Sequence, residues 1–170
     1  HWWGTTSVSQ TEDYQFGRYD TRAQSWDVVA YNAPYFTIVK SAGNQRNDNG
    51  PGPGGQHFVR NSSFQWVSST TTRDPDGDFD SQGNMTLAKN ALSIGAVNAL
   101  PNGWNGSGSV SMSGFSSWGP SDDGRIKPDL VGNGVGVHSP VAGSNTAYGI
   151  LNGTSMSAPT ITGAVLLLQE

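Results

Sequence analysis

The chain has 170 residues, 34% of them hydrophobic, and nine basic against thirteen acidic residues give net charge −4, a size that suits one domain with a real core or a piece of one. No run of Lys or Arg forms the stripe that phosphate neutralisation requires, which argues against nucleic acid as a partner, and the longest apolar stretch, Ala164 to Leu168, is far short of the roughly 20 residues that span a bilayer. The absence of Cys excludes disulfides, zinc thiolate centres and cysteine catalysis, and leaves the compartment open.

In chain order, Tyr19, Ala23, Trp26, Ala30 and Tyr31 recur at roughly helical spacing and Pro34 follows as a stop, which predicts an amphipathic helix over Gly17 to Ala33. Tyr35-Phe36-Thr37-Ile38-Val39 is short and β-rich and predicts a buried strand feeding the loop Ser41-Ala42-Gly43-Asn44. Gln45 to Thr86, opening on a Gly/Pro-rich run, shows no helical period and is expected on the surface, with Phe64, Trp66 and Val67 alternating only briefly. Ala91 to Val97 reads as the next buried strand, and Val110 to Phe115 and Asp129 to Val137 as further strands. Thr154 to Glu170 predicts a helix opened by small residues and facing inward along Ile161, Val165 and Leu168. Strand, helix and loop alternate in the α/β manner. His1 is not Met, and Glu170 arrives while an apolar helical pattern is still running, so both ends are expected to be cut.

Chemistry concentrates in Gly153-Thr154-Ser155-Met156-Ser157-Ala158-Pro159. A serine at a tight turn that opens a helix stands beside unpaired backbone N–H groups and the positive end of the helix dipole, both of which favour an oxyanion. Pro159 is expected in the first turn, where a missing N–H costs little. The plainer reading of the same residues is a Ser/Thr helix cap.

The stretch Gly153 to Pro159 resembles the nucleophile motif of the subtilases, and Ser41-Ala42-Gly43-Asn44 resembles their oxyanion-hole loop, upstream of the serine as that family requires. Gly114 to Pro120, running on through Asp123 to Asp129, and Ala88 to Val97 resemble two further family segments in the correct order. Family members commonly carry Arg where Trp118 stands and Ala-Pro-Gly where this chain has Gly132-Asn133-Gly134.

The resemblance implies a three-layer α/β/α subtilisin-like fold with a mostly parallel sheet, incomplete at its N-terminal side, with residues 1–170 forming the C-terminal portion of one catalytic domain. It implies a serine endopeptidase acting through an acyl-enzyme. Ser155 would be the nucleophile, and its backbone N–H and the Asn44 side-chain amide would donate to the oxyanion. Ser41, Ala42, Gly43 and Thr154 would line the substrate, and His1-Trp2-Trp3-Gly4 resembles the end of the substrate-pairing strand, so that Trp3 and Gly4 would lie alongside a bound peptide; a Trp pair in a core is the competing reading. The triad order Asp, His, Ser places the acid and base well before Ser155. None of His1, His57 and His138 resembles the family's histidine segment, and each is expected to be an ordinary surface or terminal residue. The chain alone is therefore expected to be inactive, and the family's exported members suggest a secreted or cell-surface protein.

No cofactor is implied, and Asp74 to Asp80, where four carboxylates alternate, reads as a solvated acidic turn in preference to a calcium loop. The expected partners are a protein or peptide substrate and either the missing N-terminal part of the domain or a second copy. A non-catalytic peptide-binding module derived from a subtilase is the main alternative. A carbohydrate-binding surface built on Trp2, Trp3, Trp66 and Trp104 rests on composition alone.

Overall fold

A computed structural model describes residues 15–47, 54–63, 65–70 and 79–170. Asp20 sets where the first helix begins: its carboxylate accepts the N–H groups of Arg22 and Ala23 at 2.9 and 3.2 Å, and helix α1 runs Thr21–Asn32. The helix therefore starts four residues later than Gly17, which adopts a left-handed φ of +67°. Tyr31, expected on the apolar face, is exposed, whereas Ala23 and the carboxylate-bearing Asp27 are buried.

Strands β1 (Ile38–Ser41), β4 (Ala91–Val97) and β5 (Leu130–Asn133) form a parallel sheet in the order β1-β4-β5. The central strand, β4, is buried along nearly its whole length, as suits a parallel strand covered on both faces. Strand β1 begins at Ile38 rather than Tyr35, and Tyr35 and Phe36 are exposed ahead of it. Among the described residues β1 pairs on one side only, with β4.

Side chains alternate across a strand. On one face, Ala91 packs with Ala23 and Ala88, flanked by Tyr19, Trp26 and Ile38. On the other, Gly132, the register partner of Ala96, lies under helix α2 (Thr154–Gln169), and a Cβ there would stand 3.1 Å from the Ser157 carbonyl oxygen. The two helices thus cover opposite faces of the sheet, which gives an α/β/α layering. Buried Lys127 ties the entrance of β5 to β4, because its ammonium donates to the carbonyls of Ala88 and Ala91 and to the Asp129 carboxylate, at 3.2, 3.3 and 2.6 Å.

Further differences from expectation have local causes. Residues 57–69 contain an antiparallel hairpin, β2 (His57–Arg60) with β3 (Trp66–Ser69), closed where the Asn61 side chain accepts the N–H groups of Ser63 and Gln65. Val110 to Phe115 is not a strand: Met112 makes a single bridge to Val97. Instead a second hairpin, β6 (Val137–Pro140) with β7 (Tyr148–Leu151), leads into the serine helix. In α2, Ile161 and Val165 are partly covered but Leu168 is exposed along with Leu166 and Leu167, although Gln169 Nε2 still reaches the Thr37 hydroxyl just ahead of β1 at 3.3 Å. Pro159 stands at the sixth helical position, so its missing N–H leaves the Ser155 carbonyl without the usual intrahelical bond.

Candidate active site

Two chain turns meet at the carboxyl ends of the parallel strands. Strand β1 ends at Ser41, the Ala42 N–H continues the ladder to the Ile94 carbonyl at 2.9 Å, and Gly43 then turns the chain with φ +108°. From the other side, the Gly134 carbonyl accepts the Gly153 N–H at 2.8 Å, just ahead of α2. Space here is tight: a Cβ on Gly134 would lie 2.6 Å from Ala96 Cβ and 2.7 Å from the Gly153 carbonyl oxygen.

Asn44 and Thr154 join the two turns. The Asn44 Oδ1 accepts the Thr154 N–H at 2.9 Å and the Thr154 hydroxyl at 3.0 Å, while the Thr154 Oγ1 accepts the Gly43 N–H at 3.2 Å. The Asn44 carbonyl thus supplies the cap that Gly153, with no side chain, cannot give to α2. With Oδ1 fixed, the amide nitrogen lies over Gly153, 3.4 Å from where a Cβ would be, and makes no hydrogen bond among the described residues. The Met156 N–H turns back to the Gly153 carbonyl at 3.0 Å, whereas the Ser155 N–H and hydroxyl have no partner among the described residues. Ser155 is exposed. The arrangement therefore offers an accessible hydroxyl at the N-terminus of a 16-residue helix, with one side-chain and one backbone N–H donor beside it.

Thr154 is fully buried and its hydroxyl is committed within the protein, and Ala42 is buried as well. Ser41 and Gly43 are half-buried at the mouth of the turn. Burial pushes the neighbouring Lys40 ammonium below the usual lysine range, and it donates to the Ser41 hydroxyl at 3.0 Å. Trp3, Gly4 and the acidic residues from Asp74 to Asp78 lie outside the described residues. His57 Nδ1 is 2.9 Å from the Gly55 carbonyl, and His138 stacks on Tyr148 at 5.0 Å, on the two hairpins.

The loop that carries Asn44 is also fastened to residues 113–118. Ser117 donates its N–H to the Gly43 carbonyl at 2.9 Å, and Arg46 donates to the carbonyls of Phe115 and Ser113 at 3.3 Å each. The Arg46 guanidinium lies 3.7 Å over the Trp118 ring, and Phe79 stacks on the same ring at 6.0 Å. Sequence reasoning did not single out Gln45, Arg46 or Ser117, because nothing in their residue types announces a contact across some 70 positions.

A profile of the subtilase family matches residues 3–170. The chain belongs to the subtilase family. It is 41% identical over 86 residues to a C5a peptidase of Streptococcus pyogenes serotype M18, a match that covers 51% of this chain and 7% of that protein. It is 43% identical over 54 residues to pyrolysin of Pyrococcus furiosus, covering 32% of this chain and 4% of pyrolysin. Among solved structures, the CspB protease of Clostridium perfringens matches with a TM-score of 0.42 and 28% identity, over 54% of this chain and 18% of that one. The stretch shared with this chain is thus only a small part of the length of each of these proteins. Among the described residues no helix is long and apolar enough to cross a membrane.

Proposed function

We propose that residues 1–170 form the nucleophile-bearing, C-terminal portion of one catalytic domain in a secreted or cell-surface serine endopeptidase. The observation that carries this reading is the Asn44–Thr154 contact, which leaves the Asn44 amide nitrogen and the Ser155 backbone N–H both beside Gly153, 3.4 and 3.7 Å from where a Cβ on that residue would stand, next to the exposed Ser155. Ser155 Oγ attacks the scissile carbonyl carbon and the C=O π-bond opens to an oxyanion, which the Asn44 amide and the Ser155 N–H stabilise. The hydroxyl proton passes to a base and on to the leaving amine as the C–N bond breaks, and water then hydrolyses the serine ester.

On this reading the base and its orienting carboxylate are those of the subtilase triad, which stand ahead of the serine in the order Asp, His, Ser. An alcohol without a base is a poor nucleophile at neutral pH, and the 170-residue chain by itself is inactive. The substrate is a protein or peptide, as in the subtilase family.

Steady-state kinetics on the full-length protein test the assignment. Ser155→Ala abolishes peptide hydrolysis, whereas Asn44→Ala lowers kcat roughly 100- to 1000-fold and leaves KM within a few-fold. Hydrolysis that survives Ser155→Ala would refute the nucleophile. If hydrolysis is undetectable in the full-length wild type while peptides still bind, the non-catalytic peptide-binding module takes its place.

A further inference from the structure

Gln45 folds its side chain back over the loop that precedes it. Its Oε1 accepts the Asn44 N–H at 2.9 Å and is 3.4 Å from the Ser117 hydroxyl, which donates to it. The Gln45 N–H in turn donates to the Ser117 Oγ at 3.0 Å, so the two residues close a reciprocal ring of hydrogen bonds across 72 positions. A Cβ on Gly43 would collide with the Gln45 Oε1 and stand 3.1 Å from the Ser117 Oγ. The glycine at 43 thus accommodates the Gln45 carboxamide as well as the positive φ.

Resting on the reading of Asn44 as the oxyanion donor, we propose that Gln45, clasped with Ser117, is a positioning residue that sets the direction of the Asn44 amide. Thr154 fixes only the far end of the Asn44 side chain, at Oδ1. An exposed side chain anchored at its tip still pivots if its own backbone swings. The Gln45 Oε1 removes that freedom by holding the Asn44 N–H, and Ser117 ties the same peptide to the interior through the Gly43 carbonyl. A donor pre-aimed at the position where charge develops needs no reorganisation during the reaction, and displacement by about 1 Å is enough to cost as much as 100-fold. The clasp requires an acceptor at position 45, which a carboxylate also supplies.

The test is a double-mutant cycle on the full-length enzyme. Gln45→Met, which keeps the length and removes the oxygen acceptor, lowers kcat about tenfold with KM within about twofold, and Gln45→Glu restores at least half of the wild-type kcat. In an Asn44→Ala background, Gln45→Met changes kcat by less than about twofold, because it acts only through the amide already removed. Relaxation of the Asn44 side-chain ¹⁵N amide, measured on the same proteins, shows faster motion in Gln45→Met than in wild type. Equal fold-losses in the two backgrounds, an unchanged kcat in Gln45→Met, or an Asn44 amide as rigid as in wild type overturns the proposal and leaves Asn44 as the donor. An Asn44→Ala enzyme with unchanged kcat instead overturns the oxyanion reading, and the clasp's role falls with it.

Discussion

Asn44 Oδ1 accepts both the backbone N–H and the hydroxyl of Thr154, at 2.9 and 3.0 Å, although the two residues stand 110 positions apart. One contact caps a helix, closes the gap between two sheet connections and fixes which end of the amide stands over Gly153, two residues ahead of the exposed serine.

Thr154 consequently bears on stability as well as on geometry. Thr154→Val removes the hydroxyl at nearly constant volume and leaves the half-buried Gly43 N–H without its acceptor, a loss of about 1–3 kcal/mol. Thr154→Ser keeps the hydroxyl and costs much less. Urea unfolding of the two variants should rank them in that order, and equal midpoints would show that the hydroxyl holds nothing.

Asp27 is a second tie, between α1 and the segment that enters β4. Burial works to raise its pKa, but the N–H groups of Lys89 and Asn90 and the Tyr19 hydroxyl, all donating to the carboxylate at 2.7 to 3.0 Å, together hold it below the usual carboxylate range. The folded state therefore binds this proton more weakly than the unfolded chain, whose Asp ionises near pH ~3.9. The stability Asp27 contributes is complete above that value and is lost as the pH falls through the lower folded-state pKa. Wild type minus Asp27→Ala, measured by denaturant unfolding, should give a constant free-energy difference from pH 5 to 7 that shrinks below about pH 4. A difference that is unchanged at pH 3 would contradict the assignment.

The same contacts explain what the sequence revealed and what it did not. Strand β4 was legible from Ala91 to Val97, because a strand buried on both faces is a largely apolar run, here interrupted only by Ser93 and bounded by Asn90 and Asn98. The start of α2 was legible too, from the glycine turn at 153. The beginning of α1 was not, since Asp20 caps it and the Tyr19 beyond the cap only mimics helical spacing. Tyr35 and Phe36 looked like strand residues by type, yet pairing with β4 begins only at Ile38 opposite Ala91. The hairpin at 57–69 was hidden because its strands have little alternation and its closure depends on the Asn61 carboxamide. Ser155 and Asn44 were legible as candidates through the resemblance, but the Gln45–Ser117 ring that fastens the loop depends on packing across 72 positions.

Gly134 offers a steric test of the junction. Gly134→Ala forces a methyl against Ala96 Cβ and the Gly153 carbonyl, which must move apart, at a cost of about 1–3 kcal/mol. Because Gly153 immediately precedes the serine helix, kcat in the full-length protein should fall along with the thermal midpoint. Loss of stability with wild-type kcat would mean that the Gly153 turn tolerates displacement.

The central claim, that Ser155 is the nucleophile of a serine peptidase, is tested most directly by covalent labelling. Full-length protein is treated with a fluorophosphonate, digested and read by mass spectrometry. A single adduct on Ser155, absent from Ser155→Ala and formed more slowly in Asn44→Ala, is the predicted result. Peptide hydrolysis accompanied by an adduct on another residue, with Ser155 unmodified, would contradict it.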